Sequence, residues 1–516
     1  MSVRAQQGYV TDVEYTGDFY AHLSPAWMAY IAAVNGFAAP RLDGDFTWCE
    51  LGCGKGVTAV LLAATHPRGD FHACDFNARH IEYGEALRVA SGVRNLRLYP
   101  SHFSRMLEED LPHFDFVALH GVYSWVPEPV REEIHAFLRA KLKPGGLAMV
   151  SYNAMPGWAH LLPVRRLMRD RAETVPGDSF AKARAAFAYA SAMAEAGAGF
   201  FATLPAAATH LGTVAGHDIR YVAHEYMTPH GKPFYFNDVE KAMLGCGLTY
   251  AGCMNPPDNY AELMMPAKFL PLAPSRGRST LQSHRDFVMN TGFRQDLYAS
   301  QPAVAQMPQD IGLDGFAGLA FALQALPEQL PLTAAGELAF DLGPSERAVR
   351  AVHSILERGP AGPRSIRAAL GAISETECSF LIQQLVVARH IVPCAASRAS
   401  TGWSPAASAM VEAGLRDQLQ QVPLACPATG SATYVEVLHA ASIEAAARQG
   451  DAYQAGQGVL AHVRRLAHPV NLHDESGASR TASDEEIVRY VASTWRRLRD
   501  PGSPEARLLR LLGVFA

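Results

Sequence analysis

The chain has no stretch approaching 18 consecutive apolar residues, so nothing in it reads as a membrane-crossing helix. Residues 1–10 lack the apolar run of a secretion signal, and the cytoplasm is the expected compartment. An excess of one charge is also missing. The 45 basic and 50 acidic residues are interspersed and leave a net charge of −5, which gives nucleic acid no electrostatic footprint. The eight cysteines (49, 53, 74, 246, 253, 378, 394 and 426) never fall in C-x-x-C pairs, which argues against a zinc cluster or a disulfide framework. What is abundant is ordinary: 49% of the residues are hydrophobic, and 516 residues allow two to four domains with ample core.

One segment stands apart. The apolar run Phe46-Thr47-Trp48-Cys49 leads into Glu50-Leu51-Gly52-Cys53-Gly54-Lys55-Gly56, and a helical pattern over 57–65 follows. Glycines at every second position permit positive φ and leave no Cβ between backbone and ligand. In open α/β sheets ligands collect where a strand turns into a helix. A dinucleotide fingerprint begun at Gly52 needs Gly or Ala where Val57 stands; begun at Gly54 it reaches Ala59 but leaves Glu50 and Gly52 unexplained. A P-loop needs glycine in place of Cys49 and Ser or Thr in place of Gly56. The remaining pattern, E-x-G-x-G-x-G, resembles the first motif of class I S-adenosylmethionine-dependent methyltransferases. That resemblance implies that Glu50 and the backbone of the glycine loop hold the methionine part of the cofactor. A second strand, Asp70 to Asp75, ends in a carboxylate 25 residues beyond Glu50, where an acid can bond a ribose hydroxyl pair.

Strands are predicted at 46–51, 70–75, 95–99, 114–120 and 147–152, and helices at 57–65, 78–91 and 128–141. The turn Lys143-Pro144-Gly145-Gly146 is expected to end the last helix and open the fifth strand. This alternation predicts an α/β fold with a parallel, doubly wound sheet. Residues 160–232 read as a helical insertion. A helix over 234–243, a strand over 248–253 and an antiparallel seventh strand over 293–298 then complete the sheet. Residues 344–395 show the helix order of a winged helix, but Thr376 to Ile382 lack the basic residues that DNA binding requires. Residues 400–433 read as a Pro, Ala, Gly and Ser-rich connector, and 434–516 as mostly helical. The expected division is 1–40 arm or lid, 41–155 cofactor-binding core, 156–216 insertion, 217–302 segment completing the sheet, 303–398 winged-helix-like domain and 399–516 connector with helical domain.

Candidate wall residues follow the fourth strand in Leu119-His120-Gly121-Val122-Tyr123-Ser124-Trp125-Val126-Pro127, where aromatic rings can face a sulfonium or ammonium by cation–π attraction. Tyr123, with His120 as second choice, is expected to orient an acceptor amine, and Trp125 to wall the methyl path. An aromatic group near the N-terminus, which includes Tyr15 and Tyr20, is placed to fold over the cofactor. His224-Glu225 lacks the second histidine of H-E-x-x-H, so no metal site is expected there.

Together with K-P-G-G-L at 143–147 and S-Y-N at 151–153, these motifs make the chain resemble bacterial class I methyltransferases with a methyltransferase regulatory domain. The regulatory resemblance lies in His224 to Met227, Pro233 to Val239, Gly247 to Gly252 and Phe293 to Leu297. The group includes rickettsial enzymes that methylate lysines of an outer-membrane protein. It implies a Rossmann-like core, S-adenosyl-L-methionine as cofactor, and cofactor contacts at Glu50, Gly52, Cys53, Gly54, Gly56, Asp75, Phe76, Ser101, His102, His120, Tyr15 and Tyr20. The turn Ser101-His102-Phe103 stands where the family often carries a small residue before Ser-Phe, and Phe19-Tyr20 where it usually carries Pro-Tyr. Membership does not fix the acceptor. A protein lysine is the first expectation. A small molecule, or a non-catalytic role that keeps cofactor binding, are the alternatives, and homodimerisation is left open.

Overall fold

The computed structural model describes residues 17–216, 219–275, 277–302, 308–330, 346–396, 400–448, 450–466, 469–473 and 479–515. The chain enters through helix α1 (Pro25–Val34), whose proline occupies the first helical turn, where a missing N–H costs nothing. Then strand and helix alternate: β1 (Phe46–Leu51), α2 (Val57–Thr65), β2 (Gly69–Asp75), α3 (Ala78–Ala90), β3 (Leu96–Pro100), α4 (Phe103–Met106), β4 (Phe114–Leu119), α5 (Glu128–Lys141) and β5 (Leu142–Asn153). Five helices form the insertion: α6 (Leu161–Glu173), α7 (Ser179–Glu195), α8 (Gly199–Thr203), α9 (Pro205–Val214) and α10 (Ile219–Met227). The chain returns to the sheet through α11 (Phe236–Leu244), β6 (Thr249–Cys253), α12 (Arg278–Met289) and β7 (Phe293–Ala299).

The seven strands lie in the order β3-β2-β1-β4-β5-β7-β6. β1 to β5 pair in parallel, while β7 runs antiparallel between β5 and β6. The insertion reading is thus realised in the topology: 249–253 and 293–299 join the sheet that starts at Phe46. The order reverses at β1/β4, the crevice where such sheets bind ligands. A buried cation fixes β7 against α12. Arg294 donates to Asp286 at 2.7 Å and to both carboxylate oxygens of Asp296 at 2.8 and 2.9 Å, and Tyr152 donates to Asp296 at 2.6 Å.

Two expectations need correction. Lys143 to Gly146 do not precede the fifth strand but lie inside β5. The ladder passes from the pair Phe114–Leu142 to the pair Phe116–Leu147, so these four residues bulge out between the two. Residues 400–433 are not a connector. They build a helix, Pro405–Arg416, capped by Ser404, and a hairpin of Gln421–Cys426 with Ser431–Glu436. Their small residues serve close packing: a Cβ on Gly414 would stand 2.3 Å from a Val422 methyl. The third helix of the winged-helix-like segment, Glu375–Val387, buries Cys378, Leu381, Ile382 and Leu385.

The core has separable parts. One face of the sheet (Trp48, Phe71, Phe116) shares a continuous apolar cluster with α1, α2 and the C-terminal helices as far as Phe515. The other face packs α5 and α11 around Phe137, Phe236 and Tyr250. The insertion has its own core, centred on Val164, Met168, Leu211 and Tyr226. Among the described residues no helix is long and apolar enough to cross a membrane.

Candidate active site

The glycine loop turns sharply because its backbone must. Gly52 and Gly54 have φ of +80° and +53°. The N–H groups of Gly52 and Cys53 both donate to the Cys74 carbonyl, at 2.8 and 2.9 Å, which ties the loop to the end of β2. A Cβ on Gly52 would fall 2.4 Å from a Val122 methyl, so only glycine lets the two loops approach. Gly56 plays a different part, capping α2 in the left-handed conformation at φ 71°.

Above this loop opens a cavity enclosing about 1380 Å³ of empty space including its mouth. Of the residues predicted from sequence, it brings together Glu50, Gly52, Cys53, Gly54, Asp75, Phe76, Ser101, His102, His120, Tyr20 and Trp125. It does not include Gly56 or Tyr123, and Tyr15 lies outside the described residues. The placement of Tyr123 corrects the expectation that it orients an amine. Its ring is buried at 3% exposure against Phe234, and its hydroxyl lies 3.0 Å from His135 Nε2 behind the cavity wall. Residues 121–127 form a turn in which Val122 and Trp125 reach the cavity while Tyr123 packs into the core.

Each end of the cavity has its own chemistry. Phe76 and His102 stack at 5.8 Å with 25° between their planes, a surface suited to a flat heteroaromatic ring. Asp75 accepts from the Gly54 and Asn77 backbones at 3.0 and 2.9 Å and lies 3.3 Å from His80 Nδ1. Glu50, 3% exposed, keeps Oε2 without a hydrogen-bond partner. Burial, with the Asp75 charge behind it, pushes its carboxyl up to about 8. A buried acceptor left open in this way suits a ligand that brings a cation or a donor. The His120 ring lies against Tyr20 at 4.0 Å, tilted by 45°, and its Nδ1 lies 3.2 Å from His22 Nε2. Burial pulls His120 down to about 4, so at neutral pH it is an uncharged hydrogen-bonding wall.

Of the N-terminal segment the sequence pointed to Tyr20 but not to Gly17 and Asp18, and it gave no sign that the insertion reaches the cavity. Gly17 and Asp18 line the cavity, and Tyr20 is held there by its N–H to Thr58 Oγ1 at 3.0 Å. His224 and Glu225 line it from α10. The pair was weighed only as metal ligands; the adjacency of a histidine and an acid in a segment resembling the regulatory domain was the available signal. In all, Asp18, Glu50, Asp75, Glu133 and Glu225 line the cavity with Lys55 as the lone formal cation among the described residues. Lys55 itself rests over the Tyr83 ring at 4.7 Å.

Comparison with known proteins agrees with this geometry. Residues 49–148 match the family described as a methyltransferase domain, and residues 218–300 match a predicted methyltransferase regulatory domain. An uncharacterized protein of Synechocystis is 32% identical over 361 residues, 69% of this chain and 70% of that one. An uncharacterized protein of Rickettsia prowazekii is 25% identical over 288 residues, covering 55% of this chain and 51% of its own length. The chain belongs to the class I S-adenosylmethionine-dependent methyltransferases that carry a regulatory domain. The solved structure of PKMT2 from Rickettsia typhi in complex with AdoHcy shares its fold, with a TM-score of 0.68 at 18% identity over 94% of this chain and 98% of that one.

S-adenosylmethionine fits the residues found in this methyltransferase. Of the cavity residues, the open Glu50 carboxyl would hold its ammonium, Asp75 its ribose hydroxyls and the Phe76–His102 pair its adenine. At Gly54, where an added Cβ would meet nothing within 4 Å, the loop leaves its backbone open on the cavity. The topology explains why the regulatory segment belongs to the same unit: it supplies β6, β7 and the α10 side of the cavity.

Proposed function

We propose that this methyltransferase acts on the side-chain amine of protein lysines. The observation that carries the reading is the acidic and aromatic make-up of the cavity. Asp18, Asp75 and Glu133 line it, with Glu50 and Glu225 held ready to ionise against a cation. The rings of Tyr20, Phe76, Phe103 and Trp125 join them, beside one lysine engaged over Tyr83. Such a lining favours a cationic cofactor and a cationic acceptor over an anionic one. The fold is shared with PKMT2 from Rickettsia typhi, solved with AdoHcy, which agrees with a cofactor of this kind. Eight free cysteines fit work in the reducing cytoplasm.

The cofactor supplies a methyl group already activated on sulfonium, and position is what the chain adds. Trp125, Tyr20 and neutral His120 wall the space and exclude water. A lysine amine starts near pKa 10.4 and must lose a proton before it can attack, so low-polarity walls help by disfavouring the ammonium. Incubation with methyl-labelled cofactor and a fractionated bacterial extract tests the assignment. Label is expected in the protein fraction; label confined to small molecules would replace the acceptor.

A further inference from the structure

Among the described residues, Glu225 is the one cavity carboxylate that the helical insertion supplies. Among the described residues its carboxylate takes no hydrogen bond, whereas Asp75 is held by two backbone N–H groups and Glu133 accepts from the Ser104 N–H at 3.2 Å. The Arg165 side chain does not neutralise it by contact. Its guanidinium is spent on the backbone carbonyls of Glu225, Thr228 and Gly231, fixing the end of α10, while it lies 5.3 Å over the Trp125 ring. The helix end and the cavity wall are thereby held as one piece, and Glu225 has a fixed place in it.

The position along the cavity follows from Arg165, which donates to the Glu225 carbonyl at 3.1 Å and lies 5.3 Å over the Trp125 ring. Glu225 therefore enters the lining on the Trp125 side, beside the residue expected to wall the methyl path.

We propose that Glu225 is the acceptor-side carboxylate of this methyltransferase, binding the incoming ammonium and taking its proton before methyl transfer. The proposal rests on the amine reading above. In the step, the ammonium gives a proton to the Glu225 carboxylate and becomes a neutral amine. The nitrogen lone pair then forms the N–C bond as the C–S bond breaks, with its electron pair kept by sulfur. The products are a methylated ammonium, AdoHcy and a protonated Glu225 that returns its proton to solvent. Burial raises the Glu225 carboxyl to about 8, while Arg165 opposes the rise. The charged or titratable groups that face it are Arg165 from α6, Tyr221 and Tyr226 from α10, and Tyr20 from the N-terminal segment. A carboxyl shifted this far toward neutrality accepts an amine proton more readily than an ordinary one.

Paired binding measurements test the proposal without knowing the acceptor. Sinefungin carries an amine-bearing carbon where the cofactor has its methylsulfonium; AdoHcy has neither amine nor methyl there. Wild type at pH 8 should bind sinefungin at least tenfold tighter than AdoHcy. Glu225→Gln should lose most of that preference while AdoHcy affinity stays within about twofold, and Glu225→Asp should keep part of it. An undiminished sinefungin preference in Glu225→Gln would overturn the proposal. A parallel loss of AdoHcy affinity would overturn it too, because Glu225 would then serve the cofactor's own ammonium or the fold. If Glu225→Gln behaves as expected but no lysine is methylated in extracts, the protein-lysine reading fails and the acceptor-side carboxylate stands.

Discussion

The guanidinium of Arg165 lies 5.3 Å over the ring of Trp125, joining the helical insertion to the loop after β4. Trp125 also meets Trp158 edge-on at 6.0 Å, so the cavity wall is braced from the segment after β5 as well. One side of the cavity is therefore braced by residues from outside the strands of the core sheet.

Arg165→Met keeps the bulk but leaves the carbonyls of Glu225, Thr228 and Gly231 without their donor. The expected cost is about 1–3 kcal/mol of stability, read by urea unfolding, together with slower turnover. Wild-type stability in this variant would show that α10 keeps its place without the arginine.

Asp75→Ala should weaken cofactor binding by roughly ten- to a hundredfold, since ligand hydroxyls and the Gly54 N–H lose their acceptor together. Circular dichroism should show the fold intact. Unchanged affinity in calorimetry would remove Asp75 from the site.

Glu50 links binding to pH. Its ordinary value near 4.5 is raised in the folded, unliganded chain to about 8, so the native state holds a proton that the unfolded chain has lost. The stability this gives is full below about pH 4.5 and lost as pH rises through about 8. A bound ammonium reverses the preference by favouring the carboxylate. AdoHcy should accordingly bind more tightly from pH 6 to pH 8, by up to about tenfold per unit, and Glu50→Gln should flatten the profile. A flat profile in the wild type would mean that Glu50 does not meet the ammonium.

Tyr123→Phe removes the hydroxyl beside His135 in the core behind the cavity. Stability should fall by about 1 kcal/mol, with AdoHcy affinity and turnover near wild type. A hundredfold drop in turnover at unchanged affinity would return Tyr123 to the chemistry.

Much of this was legible because local rules agree with the fold. The alternation of strands and helices from Phe46 to Tyr152, and the return to the sheet at Thr249 and Phe293, appear within a few residues of their predicted bounds. Glycine spacing located the loop, because positive φ and close approach at Gly52 leave no other residue type. What sequence could not show was direction and distance. Tyr123 and Trp125 stand two apart in one turn and face opposite ways, which depends on how β4 and α5 pack. Glu225 and Glu50 line one cavity across 175 residues of chain, and no local pattern encodes that convergence. Residues 400–433 misled for another reason: alanine and glycine mark close packing as readily as they mark flexible chain.

The central claim is that this methyltransferase places a methyl group on a lysine ε-amine. Extract proteins labelled by the purified chain with methyl-tritiated S-adenosylmethionine should be hydrolysed to amino acids and separated by chromatography. The account predicts label in N-methylated lysines, absent when Asp75→Ala replaces the wild type. Label released as base-labile methyl esters, or found on residues other than lysine, would contradict it.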